Sequence, residues 1–467
     1  MVAYIANIKL MKKVMAMKCF KTSSGYDAKI EYIGGAEAEA KLMRDKILNT
    51  QNTEDIYEIK GNKYYINKNM TVDDIPADLK PGDAVLFERG GLWRIPCREN
   101  VIIPEGVIFG SYGSGEKPRF YGSAANFAGD PDWEKFSENI WKRHLPNRNA
   151  GIIVFDDKYA LGDKKWSLEE TTANYDFYYD GEHDDIYVYY DGDLLNDFES
   201  IEIGQRGDII TMKSNTVLDN VCIRYAASHG VATEHNMHNV TITNCEIGFI
   251  GGSLQFDRVR FGNGIEIKMG GQDITVKNNW VYQCYDAGIT FQSWNNGKES
   301  RYHDIDFSEN LIEYCYYGYE FFTTSAAGGG PYSEYKNINI SDNIIRFSGY
   351  GWAHEQRPDK WMLSHIRGGQ WAYMDYCEGF RICNNIFDSA RAYIIHWWWH
   401  DENKNVIHPE AHEGLTVSEN TYYQKLSDDN RCLLYHHNVP LTANDENELT
   451  EVIKRFDSNP RKIVLMK

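Results

Sequence analysis

Three acidic residues in the middle of the chain lie in or beside short segments that share a Gly. Aligned on that Gly, the segments read SHGVATE, GNGIEIK, DAGITFQ, YYGYEFF and GYGWAHE. In an extended strand, the residue after the Gly points inward and the next one outward. This alternation predicts one outward column containing Glu266, Thr290 and Glu320, with Asp286 at the corner before the strand of Thr290. Stacked strands lie about 4.8 Å apart, so the two glutamate backbones are expected about 9–10 Å apart.

Paired carboxyl groups at such a spacing are typical of glycosidic bond cleavage. Inverting enzymes hold the two groups about 6.5–9.5 Å apart, and retaining enzymes about 5–5.5 Å. One of Glu266, Asp286 and Glu320 would protonate the leaving oxygen, another would activate water or attack the anomeric carbon, and the third would tune their pKa values. Each also has a structural alternative. Glu266 could be a solvated partner of Lys268, Asp286 could bond turn amides, and Glu320 could be a hydrogen-bonded structural residue.

Residues that could bind a sugar surround these carboxyl groups. Some belong to the next outward column, some to the polar and aromatic insertion GWAHEQRPDKWMLSHIRGGQW, and some to the HWWWH run. Trp side chains offer a flat apolar face to a sugar ring, and the Arg fork binds hydroxyls or a carboxylate. The candidate binding residues are Lys268, Gln292, Trp294, His354, Arg357, Lys360, His365, Trp397 and Trp399. His396 and His400 give only weak evidence of a metal site, and no metal or other cofactor is predicted.

A repeated pattern around an Asn determines how these residues are positioned. Its copies read NTVLDNVC, VTITNCEI, ITVKNNWV, IDFSENLI, INISDNII, FRICNNIF and LTVSENTY. The predicted Asn column is Asn220, Asn279, Asn310, Asn343, Asn385 and Asn420, with Cys245 replacing Asn once. Asn tolerates the left-handed conformation needed to turn the chain, and stacked amides can bond to one another. The alternating strands and irregular repeat length predict an all-β, right-handed, single-stranded parallel β-helix.

The remainder of the chain is expected to close and flank this solenoid. Residues 1–56 would hold an amphipathic helix (34–50) that caps it. Residues 57–430 would form the β-helix, interrupted by an insertion at 123–200. That insertion contains a Tyr-rich hairpin, DFYYDGEHDDIYVYYDGD, expected to wall one end of a cleft. Residues 431–467 would form a tail with a helix capped by Asn444 or Asp445.

Composition narrows the possible partners. The chain of 467 residues has 49 Lys and Arg against 68 Asp and Glu, a net charge of −19. This balance argues against nucleic acid and anionic membranes as partners. Aromatic residues make up 14% of the chain, which suits a carbohydrate substrate but also any β-rich protein. Nine Cys without regular spacing indicate reduced thiols, and no secretion signal is apparent, which suggests a cytoplasmic protein or one given without its leader.

The segments LKPGDAVLFERGGLWR and VIIPEGVIFGSYGSGEKPRFYG resemble the first coil of many bacterial β-helix carbohydrate-active proteins. The resemblance extends over residues 57–424, and NGIEIK, YDAGIT and YEFF look like segments that line the cleft in the glycosidase-like members. It implies a glycoside hydrolase acting on an oligo- or polysaccharide. One alternative is a polysaccharide lyase, with Lys268, Arg357 or His354 as base and Ca²⁺ held by acidic residues. Another is a non-catalytic carbohydrate-binding β-helix.

Overall fold

Three long sheets of mostly parallel strands form the body of the protein. The computed structural model describes residues 20–21, 27–28, 33–95, 100–146, 149–156, 160–205, 207–255, 259–294, 297–323, 331–357, 363–368, 375–397, 414–425, 434–436 and 439–466. Each complete coil contributes one strand to each sheet, as in Gly271–Lys277, Trp280–Cys284 and Ala287–Gln292. This is the parallel β-helix predicted from the repeats.

We call the three sheets the long-strand sheet, the third sheet and the site sheet. The long-strand sheet contains Lys63–Ile66, Ala84–Glu88, Ile108–Tyr112, Thr216–Asp219, Met237–Thr243, Gly271–Lys277, Ser300–Ser308, Ser333–Ser341, Tyr376–Glu378, Phe380–Cys383 and Leu415–Ser418. The third sheet contains Leu92–Arg94, Arg119–Tyr121, Cys222–Arg224, Glu246–Ile250, Trp280–Cys284, Leu311–Glu313, Ile344–Arg346, Ile386–Asp388, Thr421–Lys425 and Lys462–Met466. The site sheet contains Val101–Ile103, Ile210–Met212, Val231–Thr233, Ile265–Lys268, Ala287–Gln292, Tyr317–Phe322, Ser364–Gly368, Tyr393–Trp397, Leu434–His436 and Val439–Leu441, the last strand antiparallel.

The inward residues of all three sheets fill one apolar core. In the site sheet, Val231, Ile265, Ile289 and Tyr319 are fully buried in that core, as the Gly alignment predicts. The fifth aligned segment, GYGWAHE, does not belong to the column. Trp352 packs in an aromatic cluster outside the core and precedes a short helix, so the alignment of Ala353 with Glu320 is wrong.

The Asn column lies between the long-strand sheet and the third sheet. Strand pairing aligns Val221, not Asn220, with Cys245 and Asn279, so the predicted column is wrong by one residue in its first copy. Another part of the prediction is also wrong, because the left-handed turn falls on the residue before the column. Those preceding residues, all with φ between 54° and 61°, are Asn220, Asn244, Asn278, Glu309, Asp342, Asn384 and Glu419.

The column residues themselves form a buried hydrogen-bond ladder. The Asn310 amide Nδ2 donates to Oδ1 of Asn343 (3.1 Å), Asn343 donates to Asn385 (2.9 Å), and Asn385 donates to Asn420 (3.1 Å). Asn420 Nδ2 then donates to the Asp457 carboxylate (3.0 Å). The predicted bonding between stacked amides is therefore confirmed.

Helices and turns cover the solenoid. Among the described residues, the helices are Glu37–Leu48, Thr53–Ile56, Ala353–Gln356 and Glu446–Ile453, with a 3₁₀ turn at Val72–Asp74. The helix predicted at residues 34–50 is present, but it packs on the side of the solenoid, on the outward-facing Leu311 and Ile344 of the third sheet, and not on its end as expected. One end of the core is covered by the segment containing Val72 and Leu79, and the other by Leu449 and Ile453 of the last helix. Asp445 caps that helix by accepting the N–H of Glu448 (2.9 Å).

The insertion, joined by the following strand and by two short N-terminal strands, forms two small sheets around a separate apolar core. One contains Asp163–Lys164, Asp176–Asp180, Asp185–Tyr189, Ile140–His144 and Glu134–Lys135, and the other contains Ile201–Gly204, Ile152–Phe155, Ala160–Leu161, Phe20–Lys21 and Asp27–Ala28. The predicted Tyr-rich hairpin is confirmed as two antiparallel strands. No helix in the described ranges is long and apolar enough to cross a membrane.

Candidate active site

The two predicted glutamates lie in one outward column of the site sheet. Glu266 pairs with Thr290 across one strand, and Thr290 pairs with Glu320 across the next. The column continues to Arg367 and then His396. Glu266 is 1% exposed and Glu320 7% exposed. The column thus points away from the core and yet is largely covered.

Glu266 is held by side chains from the next strand and from a turn of the preceding coil. Its Oε1 accepts a hydrogen bond from Gln292 Nε2 (2.9 Å), and its Oε2 lies 2.5 Å from His229 Nε2. Burial alone would raise the pKa of Glu266, but the His229 ring, Lys268 and Gln292 outweigh it and lower that pKa to about 2. Glu266 is therefore a fixed, ionised carboxylate.

An ion pair beside Glu266 forms one partly exposed edge of the site. Lys268 Nζ is 2.9 Å from Asp208 Oδ2, and both side chains are nearly one-fifth exposed. Burial opposes the charge on Lys268, but Glu266 and Asp208 outweigh burial and raise its pKa. Trp294 lies farther out, with 42% of its surface exposed and its ring edge-on to His235 at 5.9 Å between centroids.

Glu320 lies against an arginine of the adjacent strand, which also bonds a tyrosine of the strand that contains Glu320. Arg367 Nε is 3.0 Å from Glu320 Oε1, and Arg367 Nη1 donates to the Tyr317 hydroxyl (2.6 Å). Burial and the charge of Asp286 raise the pKa of Glu320 to about 8, against the opposing charges of Arg367 and Arg357. Glu320 is therefore mostly protonated near neutral pH.

Asp286 forms the other partly exposed edge. Its Oδ1 accepts a hydrogen bond from Arg357 Nη1 (2.7 Å), and 17% of its side chain is exposed. The Arg357 guanidinium also stacks on the Tyr316 ring at 4.1 Å from the centroid. Arg357 follows the short helix Ala353–Gln356, which fixes its approach to Asp286.

Several predicted binding residues are placed elsewhere or cannot be placed. His365 points into the coil and is fully buried, bonded to Ser348 Oγ through Nδ1 (2.9 Å) and stacked on Phe387. Burial lowers the pKa of His365 to about 3. The prediction that it contacts sugar is wrong, because its position at the corner turns it inward. Lys360 and Trp399 lie outside the described residues, as do the side chains of His354 and Trp397.

Three residues of the site were not predicted from the sequence: His229, Asp208 and Arg367. His229 directly precedes the Gly of SHGVATE, and this position next to the aligned Gly is the sequence signal that points to it. Arg367 occupies the column position that the misaligned GYGWAHE segment was expected to fill. Asp208 lies in a turn two coils before Lys268, and no spacing in the chain indicates the contact between the two residues.

Metal-ligand chemistry has no assembled donor set in the described part of the chain. No three or more His, Cys, Asp or Glu side chains there are grouped so that they could hold a metal ion. The carboxyl groups of the site instead contact Arg, His and Gln donors.

Comparison with known proteins identifies similar folds only. No family model and no curated protein matches the sequence. A solved structure titled "Glycoside hydrolase" is 8% identical, with a TM-score of 0.45, and the match covers 87% of this chain and 96% of that one. A complex of XylC with xylose is 12% identical (TM-score 0.40; 86% and 82% covered), and an alginate lyase from Paenibacillus sp. str. FPU-7 is 11% identical (TM-score 0.35; 80% and 98% covered). The fold assignment therefore depends on the strand ladders, and the reaction has to be argued from the site.

Proposed function

We propose that the protein is a glycoside hydrolase in which Glu320 is the general acid and Glu266 is its ionised partner. The observation that carries the proposal is the opposite displacement of the two pKa values within one column, to about 8 and about 2. Two carboxyl groups whose environments separate their pKa values in this way are suited to acid and base roles at the same pH.

In the proposed reaction, Glu320 gives its proton to the leaving glycosidic oxygen as the bond to the anomeric carbon breaks. Glu266 takes a proton from the attacking water, or attacks the anomeric carbon itself. The strand spacing of about 9–10 Å between the two backbones is compatible with the inverting arrangement. Asp286 serves as the tuning residue, because its charge keeps the proton on Glu320.

A carbohydrate substrate is supported by the exposed edges of the site. Trp294 offers an exposed ring, and Lys268, Asp208 and Arg357 place charged hydrogen-bonding groups at the two partly exposed edges. A lyase would need a basic residue ready to take a proton. Lys268 is a poor candidate, since its ion pair with Asp208 holds it in the charged form.

The test is product analysis with the wild type and two variants. A panel of aryl glycosides and oligosaccharides, analysed by chromatography, should yield reducing sugars without an unsaturated product. Glu320→Gln and Glu266→Gln should each lose about 100-fold or more in kcat, while folding as judged by circular dichroism is kept. An ultraviolet-absorbing unsaturated product from uronic acid polymers would instead identify a lyase. Full activity in both variants would exclude this site.

A further inference from the structure

We propose that His229 is a positioning residue that fixes the orientation and charge of the Glu266 carboxylate through its Nε2–H. The proposal rests on the hydrolase function proposed above and assigns a role to a residue outside the three carboxyl groups. His229 lies at the turn before the strand Val231–Thr233 and is 7% exposed.

The position of the proton on the ring follows from its hydrogen bonds. His229 Nδ1 accepts the backbone N–H of Asn263 (3.1 Å), so Nδ1 has no proton and the neutral ring has its proton on Nε2. Nε2 lies 2.5 Å from Glu266 Oε2, and the proton that Nε2 carries in this tautomer lies beside that oxygen. The contact places the imidazole against the carboxylate on the outward face of the sheet.

Charged groups around the ring act in opposite directions. Burial and Lys268 oppose a charge on the ring, whereas Glu266 and Asp208 raise the pKa of His229. A second proton would have to go on Nδ1, where it would face the Asn263 N–H and break that bond. In the neutral ring and in the charged ring alike, Nε2 carries a proton beside the Glu266 carboxylate.

The ring is held in place from two sides. Phe261, at the end of the hairpin formed by Ser253–Gln255 and Val259–Phe261, packs edge-on against it with 5.3 Å between the centroids. Asn263 is itself fixed, because its Oδ1 accepts the N–H of Ala287, the residue that follows Asp286. The same short segment thus orients the imidazole and binds the strand that follows Asp286.

Removal of the imidazole would take away the close contact of one oxygen of the Glu266 carboxylate. Oε2 of Glu266 is buried and makes no well-aligned hydrogen bond with the described residues, so the close His229 contact is its main local stabilisation. Without that contact, burial would favour the protonated carboxyl, which can neither activate water nor attack the anomeric carbon.

The experiment compares two alanine variants and one conservative variant. His229→Ala should lower kcat about 100-fold with KM changed less than about 3-fold, and should move the acidic limb of the pH–rate profile to higher pH. His229→Gln should recover at least about one-tenth of the wild-type kcat, because its amide supplies an N–H donor without titrating.

His303 provides a matched control on the long-strand sheet. Its Nε2 lies 2.5 Å from Glu334 Oε1, the same His–Glu separation away from the site column. His303→Ala should leave kcat and the pH profile unchanged. An unchanged kcat and pH profile in His229→Ala would overturn the positioning role, as would an equal loss in His303→Ala. If Glu266→Gln and Glu320→Gln remain fully active, the hydrolase proposal itself fails, so the two failures are distinguishable.

Discussion

Residue by residue, the two glutamates of the site differ in the groups that face their oxygens. Hydrogen-bond donors and positive charges surround Glu266 and lower its pKa. At Glu320, burial and the charge of Asp286 outweigh the charges of Arg367 and Arg357 and raise the pKa. Desolvation opposes ionisation at both positions, so the balance of neighbouring charges determines which group keeps its proton. The acid and base assignments follow from this balance.

Replacement of Glu320 should depend on the leaving group. Because the pKa of Glu320 is raised to about 8, the acid is present below that value, and the wild-type rate should fall as pH rises through about 8. Glu320→Gln should remove this alkaline limb and lower kcat about 1,000-fold on alkyl glycosides. On an aryl glycoside with an acidic phenol leaving group, kcat should fall far less, because the leaving oxygen needs little protonation. Equal losses on both substrates would contradict the acid role.

Replacement of Asp286 should shift the alkaline limb of the pH–rate profile to lower pH. Its negative charge helps to raise the pKa of Glu320, so Asp286→Asn should lower that pKa and shift the alkaline limb to lower pH. Asp208→Asn is the control, since Asp208 pairs with Lys268 on the other edge of the site. The measurement is kcat/KM across pH 5 to 10 for both variants. A limb that stays in place in Asp286→Asn, or moves equally in both, would argue against Asp286 as the tuning residue.

Among the secondary-structure elements, the Asn ladder fixes the registration of the coils. The Asn343 Oδ1 accepts from the Asn310 backbone N–H (2.9 Å), from the Asn310 amide (3.1 Å) and from the Tyr319 hydroxyl (3.1 Å). All of these donors are buried, so removal of the acceptor leaves them without an aligned partner. The ladder thus links Tyr319, the residue before Glu320, to the body of the solenoid.

Truncation of one ladder residue should therefore be costly. Asn343→Ala is expected to lower the free energy of unfolding by about 4 kcal/mol, since several buried donors and acceptors lose partners. Asn339→Ala, in the same region but with a half-buried side chain bonded to Asp306, should cost about 1 kcal/mol. Urea denaturation of the two variants measures the difference. Equal urea midpoints for the two variants would show that the ladder stabilises the fold no more than the half-buried pair of Asn339 and Asp306 does.

The fold was predictable because its signals are local, while much of the site was not. Alternation and the recurring Gly correctly placed Glu266, Thr290 and Glu320 in one column. The Gly alignment fails where a coil is interrupted, since the next strand of the site sheet after Tyr317–Phe322 begins at Ser364 rather than near Trp352. The contacts of His229 and Arg367 arise between coils, and pattern matching along the chain does not reveal which side chains meet across them.

Considered as a whole molecule, the protein joins the solenoid to an insertion that reaches the site region. Lys164 of the insertion donates through Nζ to the carbonyl oxygen of Gly252 (3.1 Å). Gln356, next to Arg357, donates to the carbonyl oxygen of Gly162 (3.2 Å) and accepts from Arg260. The insertion therefore braces the segment that presents Arg357 to Asp286.

The buried lysine at this interface predicts a pH dependence of stability. Burial and the charge of Arg260 hold the pKa of Lys164 well below its usual range, so the folded protein binds this proton less tightly than the unfolded chain does. The lysine therefore destabilises the fold at neutral pH, and this cost diminishes as pH rises towards the ordinary lysine pKa of about 10.4.

Comparison with the adjacent lysine provides the check. When thermal unfolding is measured between pH 7 and pH 10, the stability of Lys164→Met relative to wild type should fall as the pH rises. Lys165→Met should not show this trend, because Asp163 and Asp176 outweigh burial and raise the pKa of Lys165. A stability difference between wild type and Lys164→Met that does not change with pH would contradict a neutral buried lysine.

The ladder from Asn279 to Asp457 also has a direction. Each of its amides donates towards the C-terminal end, where the Asp457 carboxylate accepts the last bond. A further coil with its own Asn could therefore be spliced between the coils of Asn385 and Asn420 without reversing any bond. Such lengthening would leave the spacing of Glu266 and Glu320 untouched, whereas a coil duplicated on the strand between them would separate the pair. Growth of this solenoid thus keeps the pair together wherever the new coil lies outside the strands from Glu266 to Glu320.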